Sequence, residues 1–205
     1  MTDMPEETAR AAIRFTVTPK GLAPRWLVQG LARRLRRAAR RIGIAPAALP
    51  GVSIHLVDDP AIARLNAQHM GKTGPTDVLS FPAGEGPEGV GLGDVVISVD
   101  AIRRQARARL GITDMPPGTG TKRQVLWGVV VETGPKGPAW PDLVQGTAEA
   151  AAALDEATVL AIHGLCHLLG HDHGRPAEAR AMHRRERKGL RAARTPDVPR
   201  PYGLR

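Results

Sequence analysis

Three histidines lie within one short stretch of this chain, at His163, His167 and His173, with Gly170 between the last two. Residues four apart lie on one face of a helix, so the imidazoles of His163 and His167 point toward one place if the segment is helical. Glycine readily adopts the left-handed conformation that ends many helices, so a turn at Gly170 can bring His173 to the same place. The stretch therefore predicts a helix that ends in a tight turn and carries three converging imidazoles.

These three histidines have the residue type and spacing of a metal site. Three neutral imidazoles with an open fourth position form a typical catalytic zinc site, whereas structural sites usually close with a fourth protein ligand. A single histidine on an apolar helix face is more often a packed core residue. Three at this spacing favour metal binding, and we predict one Zn²⁺ per chain with His163, His167 and His173 as ligands. His171 is expected beside the ligands or facing solvent, and Cys166, the only cysteine, is expected to be buried.

The residue after the first histidine constrains the chemistry. The same histidine spacing occurs in metzincin proteases, where a glutamate at that position is the general base. This chain has Gly164 there, which cannot accept a proton. Peptide hydrolysis by that mechanism is therefore not expected. Either another group handles the proton or hydroxide on the metal is sufficient, because zinc lowers the pKa of bound water to about 7.

The charge balance points to a polyanionic partner. The chain has 29 Lys and Arg against 20 Asp and Glu, a formal net charge of +9, which attracts phosphate backbones. The alternative is that the basic runs are merely solvated helix faces. With 3 Trp, 1 Tyr and 2 Phe, an aromatic platform for base stacking is not evident, so RNA contacts would be mostly to phosphate. The two basic runs are Arg33, Arg34, Arg36, Arg37, Arg40 and Arg41, and Arg184, Arg185, Arg187, Lys188, Arg191 and Arg194.

Helical and alternating apolar patterns are mixed along the chain without a strict βαβ repeat. This predicts an α+β fold, a small mixed sheet flanked by helices, with the metal site on a helix. A helix is expected after Pro24, another capped by Asp100, and another that begins near Asp155 and carries the histidines. Strands are expected at residues 13–17, 52–57, 77–81 and 94–98, and further helices after Pro60 and over about 176–191.

Residues 1–194 are expected to form a single metal-dependent hydrolase domain with an insertion at about 111–153. That insertion is rich in Gly and Pro, and residues 125–132 within it could form one strand. The tail 195–205 is basic and is predicted to be disordered. No apolar run approaches the roughly 18 residues that span a membrane, and the acidic start is unlike a secretory signal. A cytoplasmic protein with no membrane partner is the expectation.

Three segments together resemble the YbeY family of bacterial metal-dependent endoribonucleases. The stretch from His163 to His173 is similar to the family's H-G-x-L-H-L-x-G-Y-D-H, with Cys166 and His171 in place of leucine and tyrosine. Leu65-Asn66 followed by PTDVLSFP at 75–82 resembles the family's L-N…P-T-D-V-L-S-F-P, and LGDVVIS at 92–98 resembles its L-G-D-I-V-I-S.

The resemblance implies a single-strand-specific, zinc-dependent endoribonuclease that acts in maturation of the 3′ end of small-subunit ribosomal RNA and in ribosome quality control. Its partners would be RNA, in particular ribosomal RNA, and the ribosome or its small-subunit proteins; DNA is not expected. The candidate catalytic residues are His163, His167, Asp172 and Lys72. Asp172 would orient a ligand histidine or accept a proton.

One position departs from the family pattern. Family members usually carry an arginine where Met70 stands, six residues before the threonine of the P-T-D segment. A methionine side chain cannot bind phosphate. Lys72 partly replaces the charge, but an ammonium is a point charge and lacks the fork of a guanidinium. The alternative function is therefore a non-catalytic RNA- or ribosome-binding assembly factor that retains its zinc site.

Overall fold

The chain folds into a four-stranded mixed sheet with helices on both faces. The structure is a computed structural model that describes residues 13–18, 20, 22–83, 91–112, 122–126, 129–133 and 147–197. The strands are β1 (Arg14–Thr18), β2 (Val52–Val57), β3 (Val78–Pro82), β4 (Gly93–Ser98), β5 (Lys122–Leu126) and β6 (Val129–Thr133). The helices are α1 (Arg25–Ile42), α2 (Asp59–Met70), α3 (Val99–Arg109), α4 (Ala148–Leu168) and α5 (Pro176–Ala193), with a 3₁₀ turn at Pro46–Gly51.

The sheet has the strand order β1-β2-β4-β3. β1, β2 and β4 are parallel, and β3 pairs with β4 antiparallel at one edge. β5 and β6 pair antiparallel with each other as a separate two-stranded sheet. The predicted α+β fold, with a mixed sheet and helices around it, is confirmed.

Alternation along the strands assigns the two faces of the sheet. Ile54 and Val95 belong to the main core cluster, which also contains residues of α1 and α4. Val57 and Val96 point to the opposite face, where they pack in a second cluster with Ile62 of α2. Because successive strand residues alternate between faces, one sheet supports both cores. The histidine-bearing helix α4 lies on the larger of the two.

α1 and α5 run antiparallel beside each other. A β-carbon at Gly189 of α5 would lie 2.7 Å from Cγ2 of Ile42, so the two helices approach closely there. Nη1 of Arg185 donates to the carbonyl of Ile42 at 2.7 Å. Farther back along α1, Nη1 of Arg34 donates to Oγ1 of Thr195 at 3.3 Å and to Oδ1 of Asp155 at 2.6 Å. This one guanidinium joins α1, α4 and the segment after α5.

Two helix starts differ from the prediction. α4 begins at Ala148, well before Asp155, with the hydroxyl of Thr147 accepting from the backbone N–H of Ala150. Its first turns are alanine-rich, and alanine is the strongest helix former. α3 is capped by Ser98, whose hydroxyl accepts from the N–H of Ala101. Asp100, predicted as the cap, instead accepts from the backbone N–H of Asp59 at 2.9 Å.

The structure also bears on two further predicted segments, residues 125–132 and the start of the tail at Thr195. The sequence suggested that residues 125–132 could form one strand, but this range contains parts of two strands, β5 and β6, which pair antiparallel. Thr195, the first residue of the predicted tail, is buried, and Asp197 forms an ion pair with Arg187 at 3.2 Å. Residues 198–205 lie outside the described part of the chain. None of the described helices is both long and apolar enough to cross a membrane.

Candidate metal centre

The last turns of α4 bring two histidines together. His163 and His167 lie one helical turn apart, and their Nε2 atoms are 3.2 Å from each other. His163 is 5% exposed, while His167 is half-buried toward the end of the helix. The predicted common face is confirmed, since both rings present the same nitrogen to one point.

The turn after α4 adds the third histidine. Gly170 has φ +78°, the left-handed conformation predicted for it. The N–H of His171 donates to the carbonyl of Cys166 at 3.0 Å, which closes the turn. His173 thereby reaches the other two histidines, and one nitrogen from each of the three rings lies within 4.8 Å of the others. Three imidazole nitrogens at these separations fit a divalent metal such as zinc.

A buried carboxylate supports the innermost histidine. Oε1 of Glu186 on α5 is 2.7 Å from Nδ1 of His163, and Glu186 is 3% exposed. An ionised carboxylate only accepts hydrogen bonds, so Nδ1 of His163 is the protonated nitrogen and Nε2 carries the lone pair that faces the other histidines. Oε2 of Glu186 lies 3.7 Å from Nδ1 of His183. Glu186 was not among the predicted site residues.

A sequence signal for Glu186 was nevertheless present. It lies midway between Met182 and Leu190, four residues from each, and both are buried. Residues at that spacing share a helix face, so Glu186 falls on the apolar stripe of α5. A carboxylate in that position requires a partner, because burying an unpaired charge is costly.

The electrostatics of the site favour neutral imidazole at His167 and ionised carboxylate at Asp172. Burial lowers the pKa of His167, and repulsion from His163 and His173 lowers it further. The backbone N–H of His173 donates to Oδ1 of Asp172 at 2.7 Å. That hydrogen bond is the main reason why the pKa of Asp172 is lowered, and attraction to His167 and His173 adds to it. Asp172 therefore carries a negative charge beside the histidines at neutral pH.

The other residues that the sequence singled out lie outside the three-histidine group. Lys72 is exposed just beyond α2 and makes no side-chain hydrogen bond or ion pair with any described residue. Met70, the last residue of α2, is 45% exposed. Cys166 is buried, as predicted. His171 is not part of the three-histidine group, and burial and the charge of Arg185 lower its pKa.

Gly164 is required by packing as well as being unable to act as a base. A β-carbon at this position would lie 2.5 Å from Cγ1 of Val95 and 3.0 Å from Oγ of Ser80. Ser80 also donates to the carbonyl of Gly164 at 3.2 Å. Position 164 therefore faces the sheet and has no room for a glutamate.

Comparison with known sequences identifies the family. The chain matches the family model described as endoribonuclease YbeY over residues 25–113 and 143–194. Proteins named endoribonuclease YbeY from Anaeromyxobacter sp. and Myxococcus xanthus are 39% and 38% identical over 78% and 64% of this chain. The matched regions span 64% and 32% of those two relatives, so the chain covers less than two thirds of either. A namesake from Nocardioides sp. is 32% identical over 76% of this chain and 81% of its own length.

A Thermotoga maritima protein solved in solution aligns with 88% of this chain at 22% identity and a TM-score of 0.47. The assignment rests on the sequence matches, which include the histidine helix, the turn after it and strands β2, β3 and β4 of the sheet. The chain belongs to the endoribonuclease YbeY family.

Proposed function

We propose that this chain is a metal-dependent endoribonuclease that binds one Zn²⁺ through His163, His167 and His173. The observation that carries the proposal is the convergence of three imidazole nitrogens, one of them on a ring held by a buried carboxylate. His173 is exposed, so the group is open to solvent on its side. A three-imidazole set with an open side is typical of catalytic zinc sites.

Each residue of the centre has its own task in this proposal. A bound divalent metal would supply Lewis-acid activation of a phosphodiester and a water-derived nucleophile near neutral pH. Glu186 holds the ring of His163 in the tautomer whose Nε2 lone pair faces the site. His167 offers its lone pair at neutral pH because its pKa is lowered. Asp172 is ionised and is placed to accept a proton or to orient His173.

The proposed substrate is single-stranded RNA. The proposed cellular task is maturation of the 3′ end of small-subunit ribosomal RNA, together with ribosome quality control in the cytoplasm. The relatives' name, endoribonuclease, and the net charge of +9 both support an RNA partner. The ribosome or its small-subunit proteins are the other proposed partners, and DNA is not expected. Lys72 would contribute positive charge toward phosphate.

A second function is favoured by the exposed Met70. At the position where the family usually has an arginine, this chain presents a side chain that cannot bind phosphate. The chain would then be a non-catalytic RNA- or ribosome-binding assembly factor with a retained zinc site. Such a factor would bind metal and RNA but would cleave nothing.

Cleavage of a labelled single-stranded RNA tests the two functions. The purified chain should cut the RNA, lose that activity in a chelator and regain it with Zn²⁺. His163→Ala and His167→Ala should lose both zinc and cleavage, because two imidazoles leave the metal weakly held. His171→Ala is the matched control in the same turn and should retain both.

Three outcomes decide the matter. Undiminished zinc in both ligand variants would refute the metal assignment. Full cleavage in the presence of chelator would refute the metal dependence. A parent protein that binds zinc and RNA but cuts no RNA would establish the assembly-factor alternative.

A further inference from the structure

We propose that exposed basic residues of α1 and α5 form one phosphate-binding surface that holds single-stranded RNA on the outer side of the helix pair. This inference rests on the proposed function for its choice of RNA. We call it the α1–α5 basic surface. It consists of Arg33, Arg36, Arg37, Arg40 and Arg41 on α1 and of Arg180, Arg184, Arg187, Lys188 and Arg191 on α5, all exposed.

Each helix presents its cations as a stripe opposite its buried face. In α1, Leu31 and Leu35 are fully buried, while Arg33 and Arg37 lie one turn apart on the outer side. At 100° per residue, the five arginines of α1 fall within less than half of the helix circumference. The basic residues of α5 recur every three or four positions in the same way. The sequence shows two basic runs, and the fold sets them on adjacent antiparallel helices.

Most of these charges are not balanced by acids. α1 contains no acidic residue, and α5 contains two, of which Glu186 is buried on the opposite face and Glu178 lies in the first turn. None of the five α1 arginines forms an ion pair with any residue that the structure describes, and on α5 Arg187 pairs with Asp197. A solvated helix face usually mixes both signs to gain attraction one turn apart.

Basic residues of α3, in contrast, form ion pairs with acidic residues. The same protein therefore offers a comparison for the five exposed arginines of α1. Arg107 pairs with Glu149 at 2.9 Å, and Arg109 pairs with Glu156 at 3.4 Å. Arginine is therefore used for structural pairing elsewhere in the same chain. On α1, Arg33 and Arg37 repel each other at a separation of four residues, as do Arg36 and Arg40. A phosphate backbone would relieve that repulsion.

Helix α5 also supports the metal centre, from its buried side. Arg185 of α5 holds the carbonyl of Ile42 at the end of α1, which ties the two helices of the surface together. The next residue of α5, Glu186, contacts His163. Glu186 lies on the buried side of α5, opposite the basic residues. A strand bound along the α1–α5 basic surface would therefore lie on the outer side of the helix that supports the metal centre.

Binding measured apart from cleavage tests this inference. We would measure the affinity of the chelated protein for a fluorescent single-stranded RNA across a salt series, by anisotropy. The combined Arg36→Gln, Arg37→Gln and Arg40→Gln variant should bind more weakly. Its slope of log K against log salt should be shallower by about 2, since each lost phosphate contact on a single strand removes about 0.7.

A matched control removes the same charge elsewhere. Arg14, Lys20 and Arg64 are exposed on β1, on the loop after it and on α2. Their combined replacement by Gln should leave the salt slope near that of the parent. A second variant on the neighbouring helix combines Arg180→Gln, Arg184→Gln and Arg191→Gln. It should also bind RNA more weakly with a shallower salt slope, and it decides the case if the α1 variant fails to fold.

The results separate this inference from the proposed function. If both helix variants bind like the control variant, the α1–α5 basic surface is refuted even where metal-dependent cleavage is observed. If both weaken binding and reduce the slope, the surface stands even where the parent cuts no RNA. Binding that does not change between low and high salt would also refute it.

Discussion

A buried carboxylate beside an imidazole fixes what that imidazole can do. Glu186 and His163 are both nearly inaccessible, and they share one short hydrogen bond. Burial of a lone charge costs several kcal/mol, so the fold tolerates Glu186 because His163 compensates it. Carboxylates in this position keep a metal-binding histidine in one tautomer and orientation.

Replacing that carboxylate by an amide should weaken metal binding without removing a ligand. Glu186→Gln keeps the shape of the side chain but removes its negative charge. We expect zinc affinity, measured by competition with a coloured chelator, to fall about 10- to 100-fold. Glu178→Gln, on the exposed start of the same helix, should leave it unchanged. Equal affinities for the parent and Glu186→Gln would show that the contact does not position the ligand.

The family arginine can be restored at position 70. If Met70 faces the substrate phosphate, Met70→Arg should raise the initial rate of single-stranded RNA cleavage. A guanidinium makes paired contacts that strengthen as charge develops. A gain of about tenfold corresponds to ~1.4 kcal/mol of transition-state stabilisation. Lys72→Ala should slow the parent but matter less in the Met70→Arg background. No change in either variant would place this loop away from the scissile phosphate.

At the scale of secondary-structure elements, α4 both packs in the main core and carries part of the three-histidine group. Its buried face supplies much of the main core, and its last two turns carry two of the three histidines. Gly164 lies next to His163 and touches the sheet, so the same turn that packs against β4 sets the position of this histidine.

A single methyl group at Gly164 should therefore disturb the fold. A β-carbon at this position would lie 2.5 Å from Val95, and overpacking of this kind costs about 1–3 kcal/mol. We expect Gly164→Ala to lower the urea midpoint of unfolding accordingly. Gly174→Ala, where the nearest atom would be 3.7 Å away, is the control and should change the midpoint little. Equal midpoints would mean that the helix shifts freely on the sheet.

Much of this element layout was predictable, and the failures have physical reasons. Periodicity located α1, and the left-handed turn at Gly170 followed from its residue type. The start of α4 was missed because an alanine run has no apolar periodicity, although its propensity and Thr147 both favour a helix. Ser98 and Asp100 are both good caps, and only the register of β4 selects Ser98.

Long-range contacts were the least predictable part of the centre. The histidine spacing predicts the three-histidine group because its members are close in sequence. Glu186 reaches them from another helix, and nothing local indicates its partner. The predicted insertion at about 111–153 stays a prediction, supported by the family match, which omits residues 114–142.

At the scale of the whole molecule, protonation of a histidine in the centre affects the free energy of unfolding. In the metal-free protein, burial and repulsion from His163 and His173 lower the pKa of His167 below the 6.5 of an ordinary histidine side chain. The unfolded chain then binds more protons than the folded one just below that pH, so the unfolding free energy falls as pH drops through this window and is unaffected above it.

Urea unfolding of the chelated protein between pH 7.5 and 5.5 should show this loss. Because His167→Gln removes the titrating ring, its unfolding free energy should fall less over the same range than that of the parent. Parallel pH profiles for the two proteins would show that protonation of His167 does not oppose folding.

The guanidinium of Arg34 has a practical consequence for anyone shortening this chain. It reaches Asp155 in α4 and Thr195 just past α5, and the N–H of Thr195 also donates to the carbonyl of Leu190. A stop codon placed at the end of α5 would delete a buried hydroxyl and leave the last carbonyls of that helix to water. Trimming for crystallography should therefore retain residues through Asp197, even though the sequence alone places the boundary of the tail before Thr195.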